Sequence, residues 1–196
     1  MSSTLSALAA VILLTYATPV FSGDIMVRDA AGLRSALRRA RPGTTITLAP
    51  GNYGNGIWAE KLNGTKDRPI VIAGAGNQER PVFEGGNEAI HFVDCNYVTL
   101  RGIHVSGCAG NGINADDGGR YDTPSKGMLF ENVSIERVGP TGNHDGLKLS
   151  GLDNFVVRNC TFHGWGGSAI DMVGCRDGII EKCQFVGRKG FSQATG

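Results

Sequence analysis

The feature that most constrains this chain is an internal repeat of short apolar segments. Five tripeptides share a pattern in which the first and third residues are apolar or small and the middle residue is not aliphatic. They are Ile57-Trp58-Ala59, Ile90-His91-Phe92, Ile113-Asn114-Ala115, Leu147-Lys148-Leu149 and Ile170-Asp171-Met172. They start at residues 57, 90, 113, 147 and 170, so the shortest step is 23 residues. Repetition of short alternating strands at this period is typical of a stacked β architecture, in which each repeat forms one coil.

The middle residues of these tripeptides are the candidate functional residues. Side chains alternate across a β-strand, so the middle residue of each tripeptide faces outward while its neighbours face the interior. Coils that stack at the strand spacing of about 4.8 Å bring these outward residues into one exposed column. The column is predicted to contain Trp58, His91, Asn114, Lys148 and Asp171.

Other positions of the repeat predict the corners and the first cap. Asn132 and Asn159 recur at the corner between the second and third strands of a coil, where the left-handed conformation suits Asn or Gly. Before the first coil, an amphipathic helix is predicted over residues 30–40 with Asp29 as its N-cap. We expect this helix to cover the apolar end of the core.

The cysteines are predicted to fill the core. The chain has five, and none has metal-binding spacing such as C-x2-C. Cys160 and Cys183 fall in the same inward column as Ile103 and Val133. Stacked neighbours are close enough for a disulfide, but their parallel Cβ vectors are poorly aimed for one. Free cysteine behaves as a small hydrophobic residue, so we expect reduced thiols in the interior.

The remaining features concern location and domain organisation. The apolar run at residues 5–21 ends in Ser22-Gly23, which predicts a signal peptide at residues 1–22 and a secreted or periplasmic protein. One β-helix domain is then expected at residues 23–196. The last residues resemble a turn with no strand after it, so the solenoid is predicted to be truncated at its C-terminal end.

The net charge of +1 gives no attraction to nucleic acid, and we expect a monomer with no membrane contact beyond the signal peptide.

The coil plan, the corner asparagines and the opening Thr-Ile-Thr-Leu-Ala-Pro-Gly-Asn-Tyr at residues 45–53 resemble the right-handed parallel β-helix (pectate-lyase-like) superfamily. This resemblance implies an all-β fold, a right-handed parallel β-helix with an N-terminal helical cap. Within the superfamily, the opening and the Lys148 segment look most like the chondroitinase B and alginate lyase family, or like uncharacterised secreted β-helix proteins. In those lyases a Lys removes the C5 proton, an Arg one coil on assists, and Ca²⁺ neutralises the uronate. Lys148-Leu149-Ser150 is similar to the lysine segment, and Asp171 stands where the Arg is expected.

The leading hypothesis is therefore a polysaccharide lyase that acts on an acidic, uronate-containing polysaccharide by β-elimination. This reaction needs a base and a cation that stabilises the developing negative charge. Lys148 is predicted to be the base, with a pKa lowered by flanking charge or desolvation. The predicted site has three groups of residues. They are Lys148, His144 and Asp171 for catalysis, Trp58, His91, Asn114 and Trp165 for substrate, and Asp116, Asp117 and Asp145 for Ca²⁺.

Two alternatives from other classes stay open. The protein could be a non-catalytic β-helix that binds glycans or serves as a surface scaffold. It could also be a glycoside hydrolase in which Asp145 and Asp171, with Asp116, supply the two carboxyl groups that hydrolysis requires. Sequence alone does not give the separation between these carboxylates, which decides the second alternative.

Overall fold

The computed structural model describes residues 23–76, 79–120 and 122–192. The predicted signal peptide lies outside these residues. One helix, α1, spans Ala30–Arg39. In chain order, the strands of the described residues are β1 Asp24–Val27, β2 Thr45–Leu48, β3 Gly51–Asn52, β4 Ile57–Glu60, β5 Ile70–Gly74, β6 Pro81–Glu84, β7 Ile90–Val93, β8 Val98–Arg101, β9 His104–Ser106, β10 Ile113–Asp116, β11 Ser125–Lys126, β12 Leu129–Glu131, β13 Ser134–Val138, β14 Leu147–Ser150, β15 Leu152–Asp153, β16 Val156–Arg158, β17 Thr161–Trp165, β18 Ile170–Val173, β19 Ile179–Glu181 and β20 Gln184–Val186.

The strands form a parallel β-solenoid of about five turns, as the repeat predicts. The first strands of the coils make a five-stranded sheet in the order β18-β14-β10-β7-β4, which we call the leading sheet. The second strands make a seven-stranded sheet in the order β1-β2-β5-β8-β12-β16-β19. The third strands make a six-stranded sheet in the order β20-β17-β13-β9-β6-β3, and β11 pairs with β15 alone. Because each strand pairs with strands one coil away, the fold is held almost entirely by long-range contacts.

The interior is filled by inward residues stacked in register. On the leading sheet, Ile57, Ile90, Ile113 and Leu147 follow one another across β4, β7, β10 and β14, and each is at most 2% exposed. The next inward column alternates small and large side chains, Ala59, Phe92, Ala115 and Leu149. This alternation lets the ring of Phe92 reach across the core to Phe130, with ring centroids 6.3 Å apart. Burial of these side chains is the main stabilising term of the fold.

Helix α1 closes the start of the solenoid, which confirms the predicted cap. The Asp29 carboxylate accepts a hydrogen bond of 2.7 Å from the backbone N–H of Gly32, as an N-cap residue does. Leu33, Ala36 and Leu37 lie on one face of the helix and are buried against the first coil. The helix therefore removes from water an apolar surface that would otherwise be an open end of the core.

The corner asparagines have the predicted left-handed backbone. Asn132 and Asn159 have φ of 54° and 53°, and Lys182 in the last coil has φ of 55°. Gly102 occupies the same corner in an earlier coil, with φ of 66°. A single left-handed residue turns the chain from the second sheet to the third, and Asn tolerates this conformation better than most residues with a side chain.

All five cysteines are free thiols, and Cys95, Cys108 and Cys160 are buried. Burial raises the pKa of Cys95 and Cys160 to about 12 and that of Cys108 to about 11. Cys175 and Cys183, in the last coil, are partly exposed. Because the thiolate is the reactive form, we expect iodoacetamide to modify no more than two cysteines in the folded protein and all five after denaturation. Mass spectrometry would count the adducts, and rapid native labelling of Cys95 or Cys160 would contradict this packing.

The last coil exposes side chains that are buried in the earlier coils. Met172, Ile180 and Phe185 are 49%, 39% and 50% exposed, although their register partners Leu149, Val157 and Phe162 are buried. No strand lies on the far side of β18, β19 or β20 within residues 23–192. A solenoid truncated at its C-terminal end stays a prediction. Across the same residues, no helix has the length and hydropathy needed to cross a bilayer.

Candidate functional site

The exposed column predicted from the repeat is present on the leading sheet. Strand pairing places Trp58 beside His91, His91 beside Asn114, Asn114 beside Lys148, and Lys148 beside Asp171. Five residues that span more than a hundred sequence positions therefore lie side by side on the outer face of the leading sheet, which we call the wall. A depression of about 220 Å³ opens over the middle of this wall, and it is lined by His91, Asn114, Ala115, Asp116, Lys148 and Ser150. This depression is the candidate site.

His91 lies between two carboxylates. Its Nε2 is 2.6 Å from Asp116 Oδ2 and its Nδ1 is 3.2 Å from Glu88 Oε1. The ring also lies against the indole of Trp58, with centroids 4.5 Å apart and planes at 49°. These contacts on both nitrogens and one face fix the orientation of the imidazole. Proton transfer by a histidine depends on such fixed geometry.

Asn114 forms the floor between the two halves of the site. Its Nδ2 donates a hydrogen bond to Glu88, and its Oδ1 accepts one of 2.9 Å from Asn111 Nδ2. The side-chain oxygen of Asn111 in turn accepts a hydrogen bond of 2.7 Å from the backbone N–H of Asp145. A hydrogen-bond network therefore connects the His91 half of the site to the Lys148 half.

Lys148 is held by two carboxylates. Its Nζ is 2.5 Å from Asp171 Oδ2 and 3.4 Å from Asp145 Oδ2. Partial burial opposes the positive charge, but the hydrogen bond to Asp171 and the charges of Asp145 and Asp171 outweigh it and raise the pKa of Lys148 above its ordinary value. The expectation that the surroundings lower this pKa was therefore wrong. Lys148 is an ammonium in the resting protein, and a general base would need it neutral.

Asp145 anchors the Lys148 half of the site. The residue is completely buried, and its Oδ1 accepts a hydrogen bond of 2.8 Å from the backbone N–H of Ser168 in the next coil. Both of its oxygens are thus engaged, one by the backbone and one by Lys148. A buried carboxylate needs such partners to remain charged.

A second polar column stands three residues before the exposed one, and sequence analysis did not identify it as a column. Its members are Asn55, Glu88, Asn111, Asp145 and Ser168. In three successive coils its side chain contacts the exposed residue of the same coil, as the pairs Glu88–His91, Asn111–Asn114 and Asp145–Lys148. We call this the support column. The alignment of repeats that located Lys148 could also have identified the support column, because the residue three positions before each exposed residue is polar in every coil.

Carboxylates outnumber cations at the centre of the site. Glu88, Asp116, Asp145 and Asp171 face one lysine and one histidine. Lys148 and His91 each lie between two of the acids, so no carboxylate in the group is isolated. The centre of the wall is therefore acidic when His91 is neutral, and this charge affects which ligands can bind there.

Two predicted site residues lie elsewhere. Trp165 is the last residue of β17, on the third sheet, where it is partly buried against the hydrophobic core, so it is not an exposed stacking platform. His144 precedes β14, and its side chain packs over the turn at Gly139 and Gly142, outside the depression. Neither residue belongs to the leading strands whose repeat placed the exposed column, and their predicted roles in catalysis and substrate binding stay untested.

The three predicted Ca²⁺ ligands are not brought together. Asp116 binds His91 and Asp145 binds Lys148, while Asp117 Oδ1 accepts the backbone N–H groups of Gly119 and Arg120 within its own loop. No group of three or more His, Cys, Asp or Glu side chains suited to a metal occurs among residues 23–76, 79–120 and 122–192. Binding of Ca²⁺ stays an untested prediction, and these three residues do not fit a shared ion.

Comparison with known families agrees with the geometry. The family described as right handed beta helix region matches residues 88–194, which is more than half of the chain. The chain belongs to this right-handed β-helix family. The match confirms the predicted fold and its handedness. A comparison with curated protein sequences gives no match.

Solved structures with a similar fold are carbohydrate-active proteins of more than one kind. An alginate lyase from Paenibacillus sp. str. FPU-7 aligns with a TM-score of 0.52 at 18% identity, over 83% of this chain and 76% of that one. A PL6-family polysaccharide lyase from Pseudopedobacter saltans aligns with a TM-score of 0.61 at 20% identity, over 83% and 38%. A GH136 lacto-N-biosidase from Eubacterium ramulus aligns with a TM-score of 0.60 at 14% identity, over 82% and 40%. The chain thus spans about two fifths of the latter two. These identities establish a shared fold and leave the chemistry to the site.

Proposed function

We propose that the protein is a polysaccharide lyase that cleaves a uronate-containing glycan by β-elimination, with the depression on the leading sheet as its active site. This proposal rests on one observation: two side chains held in place by carboxylates lie at the two ends of one depression. His91, fixed by Asp116, stands at one end, and the Lys148 ammonium stands at the other. A sugar ring over Asn114 would lie between a proton acceptor and a cation, as this elimination requires.

The raised pKa of Lys148 determines its proposed role. An ammonium cannot remove a proton, but it can pair with the substrate carboxylate and stabilise the negative charge that develops when the adjacent proton leaves. The substrate carboxylate would take the place of Asp171, which is 28% exposed, while the buried Asp145 keeps its contact with the lysine. Lys148 therefore supplies the charge that the related lyases are expected to obtain from a metal cation.

Proton removal is then assigned to His91. Its short contact, at 2.6 Å, joins Nε2 to Asp116 and holds the ring, whereas the longer contact of Nδ1 with Glu88 is the one that a substrate would displace. In the neutral imidazole with its proton on Nε2 toward Asp116, the Nδ1 lone pair takes the C5 proton, the C4–O bond breaks, and a C4–C5 double bond forms. The imidazolium returns the proton to the leaving oxygen, so that the histidine ends the cycle neutral.

The experiment that tests this proposal follows two products at once. The purified protein is incubated with alginate, polygalacturonate and chondroitin sulfate, and both the ultraviolet absorbance of unsaturated uronate and the release of reducing ends are recorded. Elimination raises both signals together, in equal molar amounts. Reducing ends without absorbance would show hydrolysis, and saturable binding without either signal would show a non-catalytic scaffold. Either of these two results would overturn the lyase proposal.

Hydrolysis is the second candidate, and the excess of carboxylates favours it. Asp145 and Asp171 both contact Lys148 Nζ, at 3.4 and 2.5 Å, so their Oδ2 atoms lie within 5.9 Å of each other. This limit includes the separation of about 5–5.5 Å found in retaining glycosidases. Against this role, Asp145 is completely buried and already binds the backbone of Ser168. A neutral oligosaccharide belongs in the same assay, because an acidic wall repels a neutral ligand less than a uronate.

A further inference from the structure

A second groove lies at the N-terminal end of the leading sheet, outside the depression described above. It runs between helix α1 and strand β4, and its volume is about 370 Å³. Its lining includes Arg34, Leu37, Arg38, Trp58, Glu60 and Leu62. The cap helix, which closes the apolar core on one face, thus presents two arginines of its other face beside the exposed tryptophan of the first coil.

The charge of this groove is opposite to that of the central wall. Arg34, Arg38 and Lys61 stand on or beside it, and Glu60 is the carboxylate among them. Lys61 Nζ lies 2.8 Å from Glu60 Oε1, and hydrogen bonding and charge from Lys61, followed by a hydrogen bond from Trp58, lower the pKa of Glu60. Glu60 is thereby neutralised locally. The two arginines leave a positive potential that favours an anionic ligand.

Trp58 supplies an apolar surface of fixed orientation. The side chain is 55% exposed, which is unusual for a tryptophan unless that face has a use. The indole lies against the His91 ring, with centroids 4.5 Å apart. Little side-chain entropy remains to be lost when a flat ligand packs on the free face.

We infer that this groove is a binding subsite for an anionic sugar unit, with Trp58 as the stacking surface and Arg38 as the cation. Arg34 serves mainly to shape the groove, because its guanidinium donates to the backbone oxygens of Asn55 and Gly56 at 3.2 and 3.4 Å. The subsite rests on the proposed function for the identity of its ligand, a negatively charged glycan. Its existence as an anion-binding groove depends only on the residues that line it.

The position of the groove predicts a dependence on ligand length. Trp58 and Lys148 are three strands apart in the leading sheet, since the order from β4 is β7, β10 and β14. At the strand spacing this is about 14 Å along the solenoid axis. A single sugar unit bound at Lys148 does not span this distance, whereas an oligosaccharide that follows the exposed column does. The polymer is therefore expected to run along the axis, across the strands, and to end against the cap helix.

Binding is measured directly by tryptophan fluorescence, without any need for turnover. Oligogalacturonates of two to eight residues are titrated into the wild-type protein and into the Trp58→Phe variant. Uncharged cello-oligosaccharides of equal length serve as the neutral probe. The wild type is expected to change its emission with the longer anionic ligands, and Trp58→Phe is expected to lose that change. Arg38→Ala should weaken binding of the long anionic ligands about five- to tenfold, as expected for one charge-assisted contact.

Arg39→Ala is the matched control, because Arg39 is the next residue of the same helix, is also exposed, and does not line the groove. It should bind like the wild type. Equal losses in both variants would indicate a general effect of helix charge and would overturn the subsite. So would an unchanged affinity in Arg38→Ala, or equal affinity for neutral and anionic ligands. If binding follows the expected pattern but no product forms, the subsite stands and the lyase proposal fails.

Discussion

Replacing Lys148 with alanine is expected to lower kcat/KM on a uronate polymer by about 10²–10³-fold, the usual effect of removing a group that stabilises developing negative charge. The ammonium lies in the exposed column between Asp145 and Asp171, and it is the lysine that lines the depression. The fold should also lose stability, because the buried Asp145 carboxylate is left without its cation, whereas the other partner, Asp171, is 28% exposed and screened by water. Initial rates measured by ultraviolet absorbance, together with thermal unfolding, separate the two effects.

Lys148→Arg distinguishes a cation from a base. Arginine keeps the positive charge and cannot act as a base near neutral pH, so it should retain part of the activity if Lys148 stabilises charge. Full activity in Lys148→Ala would remove this residue from the mechanism. If Lys148→Arg were as inactive as Lys148→Ala, the result would favour the original hypothesis of a lysine base, provided that thermal unfolding shows an intact fold.

The pH dependence gives an independent test of the same assignment. The pKa of Lys148 is raised, so its stabilising charge is fully present below the ordinary lysine pKa of about 10.4 and is lost only as the pH rises through the higher value of the folded state. We expect no loss of rate from this group up to that pH. A lysine base would instead give a rate that increases about tenfold per pH unit over the same range.

The second large effect is expected from Asp145, the buried member of the support column. Asp145→Ala removes the acceptor of the Ser168 N–H and one of the two carboxylates that hold Lys148. Leaving a partly buried donor without a partner, and losing a hydrogen bond to a charged group, should cost about 2–3 kcal/mol of unfolding free energy. Because the lysine also loses its inner contact, kcat should fall as well. Chemical denaturation followed by circular dichroism measures the unfolding free energy, and the absorbance assay measures kcat.

Two other acids serve as controls for Asp145. Asp171→Ala removes the other partner of Lys148, but Asp171 is 28% exposed, so stability should change by less than about 1 kcal/mol. Asp153→Ala breaks the pair with Arg176 at strand β15, away from the depression, and should leave activity unchanged. If Asp145→Ala were no less stable than Asp171→Ala, the anchoring role of the buried carboxylate would be wrong.

The repeat made the fold and the exposed column predictable. Alternation across a strand determines which residues face outward, and the recurring tripeptide identifies the same position in coils of unequal length, so the order from Trp58 to Asp171 follows from aligning the repeats. The same regularity predicted the left-handed corner at Asn132, while the cap helix was predicted from its N-cap Asp29 and its own apolar face. His144 and Trp165 lie outside the leading strands, so the repeat of those strands did not predict which way their side chains face.

Sequence alone thus determined the wall and its members, because the alternation of side chains is a property of the strand backbone and the repeat of the strands can be read from the sequence. The partners of each member were decided only by the tertiary structure. Whether Asp145 reaches Lys148 or a metal depends on rotamers, burial and the neighbouring coil, and so does the direction of the Lys148 pKa. Electrostatics falls steeply with distance and depends on desolvation, so a difference of a few ångströms, which no spacing rule gives, separates a free amine from an ammonium held by two acids.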